Sequence, residues 1–322
     1  MAKIMATNTI PLKPKSSAKD YRKRIVWTQR SRRITQLAFA AYIIIMSVVH
    51  NLSAVDGATP SIDALCPFGG IETLQRFIAT GGQFIPKTHL SNIVLLMGLT
   101  IGVVLAGGAF CGWVCPFGAL QDGLTWLRKK LPAKLRVKEI MVAPKADRVL
   151  RYGRYLVLAL ILIQTISTVK LWFADFDPYR TIFGLGWLFE FNLQANWPAY
   201  TIALLVIGGS LLIERAWCRY LCPLGGAISL FGKLSFLRIR RTGESCKGCA
   251  VCERPCPVKL PVASADTISS NCIGCLECVA ACPRHDTLDV RLAPVWLDPL
   301  QKNKHLAQRT PASRIGCERT LS

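Results

Sequence analysis

Eight cysteines between residues 246 and 282 have a type and spacing suited to binding metal. The first four are Cys246, Cys249, Cys252 and Cys256, and Pro257 follows. The second four are Cys272, Cys275, Cys278 and Cys282, and Pro283 follows. In each run three sulfurs at short spacing suit three irons of one cube, and the cysteine before proline suits the neighbouring cube. The pattern therefore predicts two [4Fe–4S] clusters.

In this pattern the fourth cysteine of each run binds the cluster of the other run, so the two ligand sets are crossed. The same arrangement is found in two-cluster bacterial ferredoxins, which the segment resembles. Cluster 1 is expected on Cys246, Cys249, Cys252 and Cys282. Cluster 2 is expected on Cys272, Cys275, Cys278 and Cys256. Zinc is the alternative, but zinc sites use two Cys-x-x-Cys pairs and need neither the third nor the fourth cysteine of each run. A disulfide framework is weaker still, because eight cysteines in so short a stretch would be redundant as staples.

Four further cysteines form two matched pairs earlier in the chain. The pairs lie in Cys111-Gly-Trp-Val-Cys115-Pro and in Cys218-Arg-Tyr-Leu-Cys222-Pro. Residues i and i+4 share a helix face, and the proline favours the start of a new helix. If the pairs face each other, four thiols form a further redox or metal site, which could hold a third metal or Fe–S centre. The alternative is that these thiols only pack at helix turns.

The chain is both strongly apolar and strongly basic. We therefore expect its apolar residues and its basic residues to occupy different segments. Of 322 residues 51% are apolar, yet the formal net charge is +21. A membrane protein combines apolar spans with basic loops on one side, so the charge does not indicate nucleic acid as a partner. Lipid and redox partner proteins are the expected partners.

Four apolar runs approach the length of about 20 residues that a bilayer requires. They cover about 34–54, 90–110, 152–171 and 199–213. The expected fold is a mainly α membrane protein, with four transmembrane helices as two repeated hairpins and a C-terminal 2[4Fe–4S] ferredoxin domain.

Lysine and arginine placement predicts the orientation. Residues 1–33 contain ten of them and 111–151 contain nine, whereas 55–89 contain two and 172–198 contain one. Because cytoplasmic loops carry the excess of basic residues, both termini and the ferredoxin segment are expected in the cytoplasm. The expected location is the bacterial inner membrane, and cluster thiolates agree with a reducing compartment on that side.

The domain organisation follows from an apparent repeat. Each half consists of a span, an outer loop, a span and a Cys-x-x-x-Cys-Pro motif; chance similarity of two turn-forming stretches is the alternative. The predicted units are a basic segment 1–33, a membrane domain 34–232 with repeats at about 34–123 and 152–232, a ferredoxin domain 242–290 and a tail 291–322.

A few residues near the outer surface could accept protons from a quinol. His50, His89 and Asp177 are the candidates, because a histidine and a carboxylate suit proton transfer. The alternative is that they are ordinary polar groups of the loops and interface. Haem ligation by the two histidines is a weaker alternative.

With these motifs the chain resembles the NapH/NosR/CcoG-type membrane polyferredoxins, and in size it is nearest to NapH-like or MauN-like proteins. The likeness rests on both Cys-x-x-x-Cys-Pro motifs, on Cys66-Pro-Phe-Gly-Gly-Ile-Glu-Thr-Leu and on the C-terminal cysteine runs, and it covers about 30–290. It implies a quinol dehydrogenase-type subunit that passes electrons between the quinone pool and a periplasmic redox enzyme system. The alternative is an assembly, maturation or regulatory polyferredoxin, including metal reduction, for a periplasmic or respiratory metalloenzyme.

Overall fold

The computed structural model describes most of the helical region and most of the cysteine-rich segment. The described residues are 18–52, 73–74, 77–78, 81, 90–132, 134, 137–168, 172–189, 191–241, 249–263, 269–282 and 287–292. The predictions for Cys66, His89, Cys246 and the tail from residue 293 onward lie outside this set.

The described residues are mostly helical, as the sequence predicts. The helices are α1 (Ala18–Leu52), α2 (Leu90–Ala106), α3 (Ala109–Trp113), α4 (Pro116–Lys130), α5 (Pro144–Leu150), α6 (Gly153–Thr168), α7 (Pro178–Phe183), α8 (Gly186–Phe189), α9 (Leu193–Leu212), α10 (Ala216–Tyr220), α11 (Pro223–Phe231) and α12 (Glu277–Ala280). Short 3₁₀ turns cover Trp172–Asp175, Gly232–Leu234 and Val251–Glu253. The strands are β1 (Leu237–Arg241) and β2 (Leu288–Leu292).

Among the described residues, three stretches are helical, long and apolar enough to cross a membrane. They are Arg22–Leu52, Pro144–Thr168 and Leu193–Leu212. The second predicted span forms α2, whose 17 residues fall below the length of about 20 that a hydrocarbon core requires. Three of the four expected helices therefore meet the criterion, and the four-span arrangement stays a prediction.

The outward faces of the long helices are apolar. Ile34 and Leu37 of α1, Leu156 of α6, and Leu204 and Leu205 of α9 each expose more than 60% of their surface. A surface of this kind is unfavourable in water and matches lipid. The three long apolar helices are therefore membrane-associated.

Two helices end just before the paired cysteine motifs. α2 ends at Ala106, and the next residue, Gly107, has a φ of +59°, the left-handed conformation that glycine adopts without strain. α9 stops at Leu212, and Arg215 precedes α10 with φ +53°. Each break leads into a five-residue helix, α3 or α10, and then into a proline-initiated helix, α4 or α11. Proline suits the first helical position because its missing N–H would have no intrahelical partner there.

The helices around the two motifs pack in corresponding pairs. α1 packs against α4, and α6 packs against α11. α9 also packs against α4, and α2 against α11. Each proline-initiated helix thus contacts one apolar helix that precedes its own motif and one from the other half of the chain. Ile43, Phe117, Phe183 and Val206 form a buried apolar cluster between α1, α4, α7 and α9.

The cysteine-rich segment is closed by a two-stranded antiparallel sheet. β1 pairs with β2, with Ile239 opposite Val290. Ile239 and Leu288 are buried in one core together with four cysteines of the segment. β1 ends just before the predicted domain 242–290 and β2 includes its last residues, so the pairing holds the two ends of the domain together.

Candidate iron–sulfur sites

Four cysteines of the ferredoxin segment line one small cavity. Cys272, Cys275 and Cys278 come from the second run, and Cys256 comes from the first. The rest of the lining is apolar. These are the four residues that the crossed spacing predicts for cluster 2. A largely enclosed apolar cavity with convergent thiols fits a [4Fe–4S] cube.

The two cysteine runs share an unusual backbone feature. Ala250, after Cys249, has φ +55°, and Leu276, after Cys275, has φ +59°. A non-glycine residue in this region costs on the order of 1–3 kcal/mol and persists only where its surroundings impose it. In both runs a short helical turn starts directly after this residue. The strained residue thus occupies the equivalent position in both loops, each of which is predicted to surround a metal centre.

Backbone amides and desolvation also suit metal-bound sulfur at the cysteines of this cavity. The Leu260 amide donates to Cys256 Sγ and the Gly274 amide to Cys272 Sγ, both at 3.4 Å. Burial raises the pKa of Cys272 to about 12 and that of Cys275 to about 11. The metal-free thiols are therefore protonated at neutral pH, and metal binding must displace those protons.

The ligands predicted for cluster 1 are only partly within the described residues. Cys282 is buried, and Cys249 and Cys252 are half-buried. Cys246 lies outside the described residues.

The two Cys-x-x-x-Cys-Pro motifs have nearly the same local structure. The second cysteine of each is the N-cap of the following helix, with φ/ψ of −62°/118° at Cys115 and −63°/114° at Cys222. The Cys115 amide donates to the Phe110 carbonyl and the Cys222 amide to the Trp217 carbonyl, both at 2.9 Å.

The structure brings these two motifs together. Gln121 Nε2, in the first half, donates to Cys218 Sγ in the second half at 3.0 Å. Arg215 Nη1, in the second half, donates to the Cys111 carbonyl in the first half at 3.0 Å. Desolvation raises the pKa of the Cys222 thiol, and negative charge on the other three cysteines of the motifs raises it further. All four thiols are therefore electrostatic neighbours.

The ferredoxin segment rests directly on the first motif. Gly108 and Gly112 lie so close to the 272–275 loop that a Cβ atom would come within 2.1 Å of the Cys272 carbonyl and 2.2 Å of the Ile273 carbonyl. Trp113 Nε1 donates to the Gly274 carbonyl at 2.9 Å. Ion pairing at a second point joins Lys259 to Glu214 at 3.1 Å. The loop predicted to hold cluster 2 thus faces the ends of the apolar helices.

A buried charge network joins the same regions, and the sequence analysis did not predict it. Asp122 accepts hydrogen bonds from Arg215 and from Arg32. Arg32 also donates to Glu277, beside Cys278, at 3.1 Å. The one signal available in the sequence was charged residues within or beside strongly apolar stretches, where they are costly unless paired.

Two of the three proton-accepting candidates lie within the described residues. His50 lies in the last turn of α1. Asp177 caps α7 by accepting from the Tyr179 amide at 2.9 Å, which gives it a structural role. Asn51 donates to the Gly184 carbonyl at 3.1 Å, so the end of α1 contacts the segment after α7. His89 lies outside the described residues.

Two known families match the cysteine-containing regions. The family described as "4Fe-4S binding domain" matches residues 88–134 and again 195–242, and each match contains one paired motif. The family described as "4Fe-4S dicluster domain" matches residues 238–283. Apolar helices joined to 4Fe–4S binding segments define a membrane-associated ferredoxin-type protein.

Relatives place the chain within that class. The ferredoxin-type protein NapH of Haemophilus influenzae is 32% identical over 209 residues, 60% of this chain and 67% of the relative. The methylamine utilization ferredoxin-type protein MauN of Methylobacillus flagellatus is 29% identical over 263 residues, 79% of this chain and 83% of the relative. The regulatory protein NosR of Pseudomonas aeruginosa is 33% identical over 207 residues, 63% of this chain but 26% of the relative. The chain belongs to the NapH/NosR-type polyferredoxin family, as the motifs predict. No solved structure matches it significantly.

Proposed function

We propose that the chain is a membrane-bound quinol dehydrogenase-type subunit, which passes electrons between the quinone pool and a periplasmic redox enzyme system. The observation that carries the proposal is the close packing of the 272–275 loop on Gly108 and Gly112. This packing holds a cysteine-lined cavity against the ends of the apolar helices. When bound, a [4Fe–4S] cluster takes up and releases single electrons, which suits a two-electron donor such as quinol.

The proposed cofactors are two [4Fe–4S] clusters on the eight ferredoxin cysteines, with the crossed ligand sets given above. The shared cavity of Cys256, Cys272, Cys275 and Cys278 supports the set for cluster 2. The apolar lining excludes water, and the amides directed at sulfur favour the thiolate form. The ferredoxin unit extends in this proposal to the paired strands, from residue 237 to residue 292.

The membrane domain is proposed to contain four spans in two repeated hairpins. Corresponding helix packing, the matching motif geometry and the double family match support the repeat. α2 is followed after two residues by α3, so the second apolar run gains length from that helix.

Both termini and the ferredoxin unit are proposed to face the cytoplasm. The concentration of lysine and arginine in 1–33 and 111–151 supports this orientation. A reporter enzyme that is active only in the cytoplasm should be active when it is fused after Ser322. Activity of a periplasm-dependent reporter at that position would contradict the orientation.

The candidate quinol site lies where the end of α1 contacts the α7 segment. His50 is one residue from Asn51, which makes that contact. In this topology the cysteine sites would lie at the helix ends opposite the candidate quinol site, so we propose that a partner subunit carries electrons across the bilayer. The basic cytoplasmic segments suit an acidic redox partner on their own side.

An assembly, maturation or regulatory role is the second candidate. The regulatory protein NosR, 33% identical over 63% of this chain, favours it. In that case the clusters would serve maturation of a metalloenzyme rather than continuous electron flow.

Quinol reduction of the clusters separates the two functions. The protein is purified anaerobically and mixed with a reduced quinol analogue, and cluster reduction is followed by EPR. The first function predicts reduction that slows in His50→Gln but not in Asp175→Asn, a control in the exposed turn before α7. If the clusters are present but quinol does not reduce them at any accessible potential, the quinol dehydrogenase role is excluded. The assembly, maturation or regulatory role would then be the function that stands.

A further inference from the structure

We propose that Cys111, Cys115, Cys218 and Cys222 together hold one [4Fe–4S] cluster, shared between the two halves of the helical region. Each half contributes two ligands, so the halves form one centre rather than two. The geometry of these residues supports the site independently of its function. Its role as an electron relay rests on the electron-transfer function proposed above.

Both motifs present their cysteines on the same local backbone structure. Cys115 and Cys222 are N-caps with almost equal backbone angles, and each follows a five-residue helix that carries the first cysteine. The Gly225 amide donates to Cys222 Sγ at 3.3 Å, and the Gly118 amide lies near the Cys115 thiol without forming such a capping bond. Amides at a helix N-terminus stabilise negative charge on sulfur.

The two halves of the helical region hold each other's motif in place. The bond from Gln121 to Cys218 Sγ runs from the first half to the second. The bond from Arg215 to the Cys111 carbonyl runs in the opposite direction. Gln121 is 1% exposed and Arg215 has no exposed surface, so both side chains are fixed in the interior. These bonds make the four cysteines one arrangement.

The number of ligands at the site matches a cube. A [4Fe–4S] cube takes one thiolate for each of its four irons, and the two motifs supply four cysteines. A single zinc ion would also take four thiolates, so the iron count distinguishes the two groups.

The surroundings of the four cysteines also suit the charge of a bound cluster. Four thiols lose four protons on forming four Fe–S bonds to a preformed [4Fe–4S]²⁺ core, and the product carries a charge of about −2. The guanidinium of Arg215 is completely buried beside this position. Phe117 and Trp217, whose rings are 6.1 Å apart, pack with Cys115 in the apolar cluster. The surroundings thus exclude water and supply compensating positive charge.

The position of the site gives the centre its role. Cys111 packs against the apolar core that contains Cys275 and Cys278. Arg215 interacts electrostatically with Cys218 and also with Cys275. The shared centre therefore lies between the apolar helices and the predicted cluster 2.

Iron and acid-labile sulfide are counted in the anaerobically purified full-length protein, and the clusters are resolved by Mössbauer and EPR spectroscopy. The proposal predicts about twelve irons per chain, of which about eight belong to the ferredoxin unit. Cys115→Ser and Cys222→Ser should each lose about four irons and the same spectral component, with the ferredoxin signals retained. Cys317→Ser, in the C-terminal segment, is the matched control and should lose none.

Several outcomes would overturn the shared centre. About eight irons in the wild type would exclude a third cluster, and about sixteen would indicate one cluster in each half. If Cys115→Ser and Cys222→Ser lose different spectral components, the two halves bind different centres and the shared cluster is excluded. If a variant does not accumulate, the wild-type count decides. This measurement uses no quinol, so it can fail or succeed independently of the proposed function.

Discussion

The guanidinium of Arg215 binds both carboxylate oxygens of Asp122. Arg215 Nε donates to one oxygen at 2.8 Å and Nη2 to the other at 2.7 Å. The arginine side chain is completely buried, and Asp122 keeps 24% of its side-chain surface exposed. Such a two-point bond fixes orientation as well as charge. It holds Arg215 against the Cys111 carbonyl and thus ties the two cysteine motifs together.

Asp122→Asn should strongly destabilise the helical region. The substitution leaves the buried charge of Arg215 without its anionic partner, and breaking a buried pair in this way costs on the order of 3–5 kcal/mol. The thermal unfolding midpoint in detergent measures the loss. Asp175→Asn is the control, because its contact with Arg180 is exposed and spans 3.9 Å. Equal midpoints for the two variants would contradict a structural role for the buried pair.

The same carboxylate predicts how stability depends on acidity. Burial alone would raise the pKa of Asp122, but Arg215 and Arg32 outweigh it and lower the pKa from 3.8 to about 2. A pKa lowered on folding stabilises the folded state above the unfolded value, and this contribution is lost as pH falls through the folded value. The stability difference between the wild type and Asp122→Asn should therefore shrink between about pH 4 and pH 2. Tryptophan fluorescence after a rapid pH jump would measure this stability difference. A difference that stays constant between about pH 4 and pH 2 would contradict a lowered pKa for Asp122.

Gly112→Ala should separate the ferredoxin unit from the helices. The added Cβ would lie 2.2 Å from the Ile273 carbonyl, which belongs to the loop predicted to hold cluster 2. Protease sensitivity of the ferredoxin segment should rise, and iron retention should fall. Gly123→Ala is the matched control, since nothing lies within 4 Å of its Cβ position. That control should be neutral or stabilising by about 0.5–1 kcal/mol, because alanine is the better helix former.

Gln121→Leu should change the potential of the proposed shared centre and leave its iron content intact. Removing an N–H···S bond disfavours the more negative reduced state, so the potential becomes more negative. A net bond energy of about 0.5–1.5 kcal/mol corresponds to a shift of about 20–65 mV for one electron. Potentiometric EPR titration measures the shift. Gln164→Leu, on α6, is the control, and equal potentials in both variants would show that Gln121 has no influence on a metal centre.

Cys256→Ser should impair the cluster assigned to the second cysteine run. The chain order would place Cys256 with Cys249 and Cys252, but the cavity places it with Cys272, Cys275 and Cys278. About four irons should be lost, and the remaining ferredoxin signal should match that of a Cys249-ligated cluster. Comparison with Cys272→Ser and Cys249→Ser provides the check. A spectrum that resembles Cys249→Ser would contradict the crossed ligand sets.

The sequence alone was sufficient for the local properties of this protein. The spacing of the ferredoxin cysteines identified the cofactor, because three ligands of a cube come from one short loop. The apolar runs predicted the long helices, since a membrane span is a property of consecutive residues. The family assignment rested on the same motifs and was confirmed by the relatives.

The tertiary structure decided which distant residues meet. Gln121 and Cys218 are 97 positions apart, and Asp122 and Arg215 are 93 apart. The sequence does not indicate which distant residue a glutamine or arginine will bond to, because these hydrogen bonds depend on how α4 packs beside α9 and α10. The sequence identified two pairs of cysteines, and only the packing of the two halves made them one set of four.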